Sequence, residues 1–62
     1  MITEKYRGYT IELDENDEGW GWIAYDDGRL VEELECVDSF LDWQDALEDA
    51  TQEIGRMLGG LP

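Results

Sequence analysis

The sequence predicts an α+β domain: a three-stranded antiparallel β-meander packed on one C-terminal α-helix, with residues 1–62 forming a single unit. Three observations predict it. Tyr9, Ile11 and Leu13 alternate with Thr10 and Glu12, the period-two pattern of a half-buried strand. Asp27-Gly28 lies between two apolar runs, a strong short-range hairpin signal, because glycine takes positive φ without steric cost. Apolar residues recur at spacings of three and four from Trp43 to Leu58.

The first strand is expected over Lys5–Leu13, followed by a polar, turn-rich loop from Asp14 to Gly19. Trp20–Tyr25 is the second strand, dense in aromatic and β-branched residues. Asp26 to Arg29 form a tight turn, with Asp26 facing Arg29 across it, and Leu30–Val37 is the third strand. The helix runs from about Trp43 to Leu58. Asp42 caps it, and Asp45 three residues later resembles a capping box. Trp43, Ala46, Leu47, Ala50, Ile54, Met57 and Leu58 share one face. Gly59-Gly60 ends the helix, and Pro62 cannot continue it.

One helix covers one sheet face only. A two-residue turn at Asp27-Gly28 sets Tyr25 opposite Leu30, Ala24 opposite Val31, Ile23 opposite Glu32 and Trp22 opposite Glu33. Gly21, Ile23, Tyr25, Leu30, Glu32, Leu34 and Cys36 then share the less charged face, which is assigned to the helix. Trp20, Trp22, Ala24, Val31, Glu33, Glu35 and Val37 fall on the open face. A one-residue change of register exchanges these sets. In the assigned register Trp20 and Trp22, rimmed by Glu33 and Glu35, form a partner-binding or self-association surface. In the other register they belong to the core.

Composition narrows the function. The chain has 62 residues, four Lys or Arg, seventeen Asp or Glu and no His, for a net charge of -13. Such an excess opposes direct nucleic-acid binding, where Lys and Arg displace counterions from phosphates. Cys36, the sole cysteine, cannot form an internal disulfide and reads as a small core or edge residue. No apolar run follows a basic segment at the start, and no stretch reaches the roughly 18 apolar residues of a membrane span, so cytoplasmic residence is expected. Cys36 and the lone Ser39 have no histidine base, and carboxylate pairs among seventeen acids carry little information. No enzymatic activity and no cofactor are expected.

The runs Ile11-Glu12-Leu13-Asp14-Glu15 and Asp17-Glu18-Gly19-Trp20-Gly21-Trp22-Ile23-Ala24-Tyr25 resemble the first hairpin of HicB-like antitoxins. Asp42-Trp43-Gln44-Asp45-Ala46-Leu47, with Ala50 and Ile54, is similar to that family's helix start. The resemblance covers most of the chain. It implies the fold and a protein-binding role like that of an antitoxin on its toxin. The family's Pro- and Gly-bearing segment after the second strand is replaced here by Asp26-Asp27-Gly28. The sequence carries no DNA-binding segment after the domain, so DNA-binding autoregulation is not implied.

Two further readings compete with a binder of basic proteins. Asp42, Asp45, Asp49 and Glu53 on the helix, with Glu48 beside them, or Glu33 and Glu35 on the third strand, form acid rows of the kind a nucleic-acid mimic presents to a basic groove. The bland alternative is the ordinary solvent face of patterned elements. Asp14, Asn16, Glu18 and Gly19 match positions one, three, five and six of a calcium loop, but Tyr25 stands where a bidentate Glu belongs. That match supports a weak divalent-cation site at most. The partner-binding set is therefore Trp20, Trp22, Glu33, Glu35, Asp45 and Asp49. One stability consequence follows from the charge alone. Self-repulsion burdens a domain already marginal by size. The melting temperature should therefore rise as NaCl is added to about 0.5 M; a flat or falling value in a calorimetric scan would show the charges to be internally compensated.

Overall fold

The computed structural model describes residues 1–35 and 39–59. Its elements are β1 Ile2–Tyr6, β2 Tyr9–Asn16, β3 Gly19–Asp26, β4 Arg29–Glu35 and α1 Trp43–Met57. The strands form one antiparallel sheet in chain order. The helix packs on one face, over β2, β3 and the end of β4. The fold class is as the sequence predicts, with four strands in place of three.

The additional strand comes from Arg7-Gly8. The run Lys5–Leu13 is broken there, with φ of 49° at Arg7 and 89° at Gly8. Asp27 and Gly28 repeat this geometry at 54° and 81°. Both are two-residue turns with positive φ at each central position, whose twist matches the strands they join. At the β2–β3 hairpin the expected six-residue loop is much shorter. β2 runs to Asn16, which pairs with Gly19. The Asn16 Oδ1 accepts hydrogen bonds from the backbone N–H of Glu18 (2.8 Å) and of Gly19 (3.1 Å), so one side chain builds the turn.

Tyr25 pairs with Leu30 and Asp26 with Arg29, as the turn predicts. Beyond them the expected register fails. Ile23 pairs with Glu35 in place of Glu32, and Ala24–Val31 and Trp22–Glu33 are not register pairs. Five steps along β4 from Leu30 face two along β3 from Tyr25, an excess of 5 − 2 = 3 residues. An odd excess inverts the in–out alternation. Val31 before the irregularity and Leu34 after it therefore both reach the helix side.

The face assignment is also reversed. Trp22 (3% exposed) and Ala24 lie in the core under the helix, and Trp20 packs against them half-buried. Ile23, Tyr25 and Leu30 are on the open face. The physical reason is complementary size. The helix presents Ala46 and Ala50, both fully buried, and the large indole of Trp22 fills the space such small residues leave. Tyr9, Ile11 and Leu13 on β2 and Ile54 on the helix complete the core. Among the described residues no buried polar side-chain atom lacks a partner.

The helix begins as expected. Asp42 is extended (φ −143°, ψ 146°) and accepts from the Gln44 N–H at 2.9 Å. Leu58 caps the C-terminal end, and Gly59 follows with φ 76°. Met57 and Leu58, expected on the apolar face, are exposed. The expectations for Cys36, Val37, Gly60 and Pro62 lie outside the described residues. No described helix is long and apolar enough to cross a membrane.

Between β4 and the helix the chain returns to β3. The Trp20 N–H donates to the Phe40 carbonyl at 2.7 Å, and the Phe40 N–H donates to that of Trp20 at 2.9 Å. Gly19 makes this closure possible. Its φ is 133°, and a Cβ there would stand 2.6 Å from the Phe40 carbonyl oxygen. Gly19→Ala should cost about 2–3 kcal/mol through backbone strain and lost closure. Gly21→Ala on the same strand, whose Cβ meets nothing described within 4 Å, is the control. Equal urea midpoints for the two variants would refute this account of Gly19.

Candidate functional site

Of the six residues expected to bind a partner, two lie in or against the core. The Trp22 indole Nε1–H donates to Asp49 Oδ2 at 2.9 Å, tying the middle of β3 to the middle of the helix. Trp22 and Asp49 are thus structural partners, and the expectation that Trp20 and Trp22 project from the open face is corrected. Sequence spacing separates Glu33 and Glu35 by two. The irregular register leaves both exposed, with Glu35 opposite Ile23 on the open face. Asp45 is exposed in the first helical turn.

The acid row on the helix is largely engaged within the molecule. Asp42 caps the helix, Asp49 holds Trp22, and Glu53 pairs with Arg56. The calcium-loop match fares similarly. Asn16 turns its side-chain oxygen to the backbone, and Asp14 lies 4.0 Å from the N-terminal amine. No group of three or more potential metal ligands converges among the described residues.

Topology segregates the charge along the strands. The Arg7-Gly8 and Asp27-Gly28 turns share one end of the sheet, which carries Lys5, Arg7 and Arg29, three of the four basic side chains, beside the acids Asp26 and Asp27. The other end carries the β2–β3 turn with Asp14, Glu15, Asp17 and Glu18. The Trp20–Phe40 bridge brings the helix start, with Asp42 and Asp45, to the same end. An eight-residue antiparallel strand spans about 27 Å. That is more than three Debye lengths at physiological ionic strength, about 8 Å each. The acids at one end are therefore screened from the three cations at the other.

The open face combines this charge with apolar surface. Tyr25 and Ile23 follow one another along β3, and Leu30 (48% exposed) lies opposite Tyr25. Toward the acidic end the stripe meets a shallow depression of about 290 Å³ at Gly21, bordered by Glu12, Asp14, Ile23 and Glu35. No described element covers it. Sequence reasoning missed this surface because it placed these residues under the helix. The small residues Ala46 and Ala50, four apart on the helix, were the signal for a tryptophan-bearing sheet face beneath them.

The core position of Trp22 gives a spectroscopic prediction. Its emission should be blue-shifted and its quenching by acrylamide slow. Trp22→Phe keeps most of the ring but removes the donor, leaving a half-buried Asp49 carboxylate unpaired. The expected loss is about 1–3 kcal/mol in urea unfolding, much of it recovered in the Trp22→Phe/Asp49→Leu double variant. Equal cost in the single and double variants would show that the hydrogen bond contributes little. Neither a protein-family model, nor a curated protein, nor a solved structure matches the chain.

Proposed function

We propose that this chain is a small, non-enzymatic interaction module that binds a basic protein partner, in the manner of an antitoxin domain on its toxin. The observation that carries this reading is the gathering of acids at one end of the sheet, while the few cations and their neighbours Asp26 and Asp27 leave the other end near neutral. Asp14, Glu15, Asp17, Glu18, Asp42 and Asp45 gather at one end, and the only ion pair there among the described residues is the long contact of Asp14 with the terminal amine. A field of one sign steers an oppositely charged protein and accelerates its encounter. The apolar stripe on the adjoining open face supplies the desolvated contact that steering alone lacks. The resemblance to HicB-like antitoxins points the same way, and cytoplasmic residence belongs to the same proposal.

Mimicry of nucleic acid is the less supported reading. A mimic requires carboxylates free to replace phosphates in a row, and three of the four helix acids in that row already serve the fold. A divalent-cation role has weaker support still, since Asn16 is spent on its turn.

Affinity capture at about 150 mM NaCl, followed by mass spectrometry, tests the proposal. A folded control domain of equal size and net charge runs in parallel. The expected result is a discrete basic protein retained by this chain, absent from the control and released by high salt. Identical captures by both domains, or no basic protein at all, would overturn the reading. Displacement of the captured protein by duplex DNA would favour mimicry instead.

A further inference from the structure

Gly21 is an interior residue of an eight-residue strand, flanked by tryptophans. Glycine there weakens the strand by roughly 0.5–1 kcal/mol relative to alanine. The other strand and turn glycines have conformational reasons: Gly8, Gly19 and Gly28 all have positive φ. Gly21 has no positive φ, and a Cβ built on it meets nothing within 4 Å among the described residues. Among the described residues nothing in the fold requires it. Gly21 forms part of the depression on the open face, which Glu12, Asp14, Glu35 and Ile23 also line.

We propose that this notch receives a lysine or arginine side chain of the basic partner, while an apolar residue of the same segment lies on Ile23, Tyr25 and Leu30. The proposal rests on the reading of the chain as a binder of basic proteins, and names the surface and the anchor. Long basic side chains bury their methylene stems on apolar surface and keep the charged head among polar groups. Here the stem crosses Gly21 beside Ile23, and the head meets the three carboxylates of the rim. The only basic side chain the described strands place on this face is Lys5, opposite Thr10 and away from the notch. Asp14 already draws the one cationic group near it, the terminal amine, at 4.0 Å and half-exposed. A second copy of this chain is the poorer occupant, because two molecules of charge -13 repel.

Gly21→Val separates binding from folding. Valine suits a strand, and a Cβ at this position meets no described atom within 4 Å. The probe is a capped synthetic peptide alternating lysine with leucine, titrated into isotopically labelled protein and followed by amide shifts and calorimetry. Wild-type amides of Glu12, Gly21, Ile23 and Tyr25 should shift. Gly21→Val should melt no lower than wild type yet bind the peptide about tenfold more weakly, the loss of one central anchor. Asp17→Asn/Glu18→Gln, at the turn, should weaken binding by less than about threefold, the effect of a screened rim charge. If Gly21→Val unfolds, Glu12→Gln/Glu35→Gln takes its place with the same expected loss. Wild-type affinity in the notch variants, or shifts confined to the turn and helix acids, would overturn the notch while leaving an acidic binder intact. Binding of a polyglutamate-charged control peptide as tightly as the lysine peptide would overturn both readings. Concentration-dependent dimerisation seen by sedimentation, with shifts at the same amides, would replace the basic partner with a second copy.

Discussion

The structure depends on one crossing point, where the Trp22 indole lies between sheet and helix and hydrogen-bonds to Asp49. In a chain of this length few side chains can supply a core. An indole buries about 200 Å², or roughly 5 kcal/mol of gross apolar stabilisation. Trp22 can be buried only if its N–H finds an acceptor, and Asp49 supplies one from the helix face directed at the sheet. Much else follows from placing that ring. Ala46 and Ala50 must be small to admit it, Trp20 is carried to the same side two residues earlier, and Ile23 and Tyr25 are committed to the opposite face by alternation. Asp49 also shows why counting acids as solvent decoration misleads here, since one of the seventeen is an internal fastening.

The β4 irregularity is the second device that makes the small core work. A regular strand would send Val31 and Leu34 to opposite faces, because their separation of three is odd. Three residues of excess over the β3 ladder let both pack toward the helix. They also leave Glu32 and Glu33 exposed at the sheet edge. A charged and irregular edge resists pairing with another chain, which suits a protein whose β4 has no further strand beside it among the described residues.

These two devices explain what could be read from the sequence. Local chemistry was legible. Asp42 caps the helix, Gly59 ends it, and Asp27-Gly28 turns the chain with the pairs Tyr25–Leu30 and Asp26–Arg29. Arg7-Gly8 carries the same signal in weaker form, since arginine rarely takes positive φ, and so the end of β1 and most of β2 read as one strand, Lys5–Leu13. The choice of sheet face was not legible from acid counts. It was decided by non-local size matching between Trp22 and the helix alanines, and by an odd number of extra residues in β4 that no turn signal announces. One error in parity moved Trp20 and Trp22 to the wrong face, and the candidate surface went with them. Asp49 and Glu53 were placed correctly in sequence but misjudged in role, because a carboxylate that pairs or accepts from an indole looks the same in a pattern as one that faces water.

What the corrected face changes is the meaning of the charge. With tryptophans outermost, the carboxylates would rim an aromatic patch that is sticky toward many partners. With them buried, the open face is a modest apolar stripe, and the proposed affinity for a basic partner would depend on electrostatic selection at the acidic end. Such a surface discriminates by repulsion as well as attraction: acidic proteins, membranes with anionic headgroups and nucleic acids all meet like charge before contact. The same carboxylates that destabilise the isolated domain by self-repulsion would be relieved on meeting a basic surface. Free energy withheld from folding by that repulsion would then be released on binding, which links the low stability expected of so small and acidic a chain to the selectivity for a basic partner proposed above.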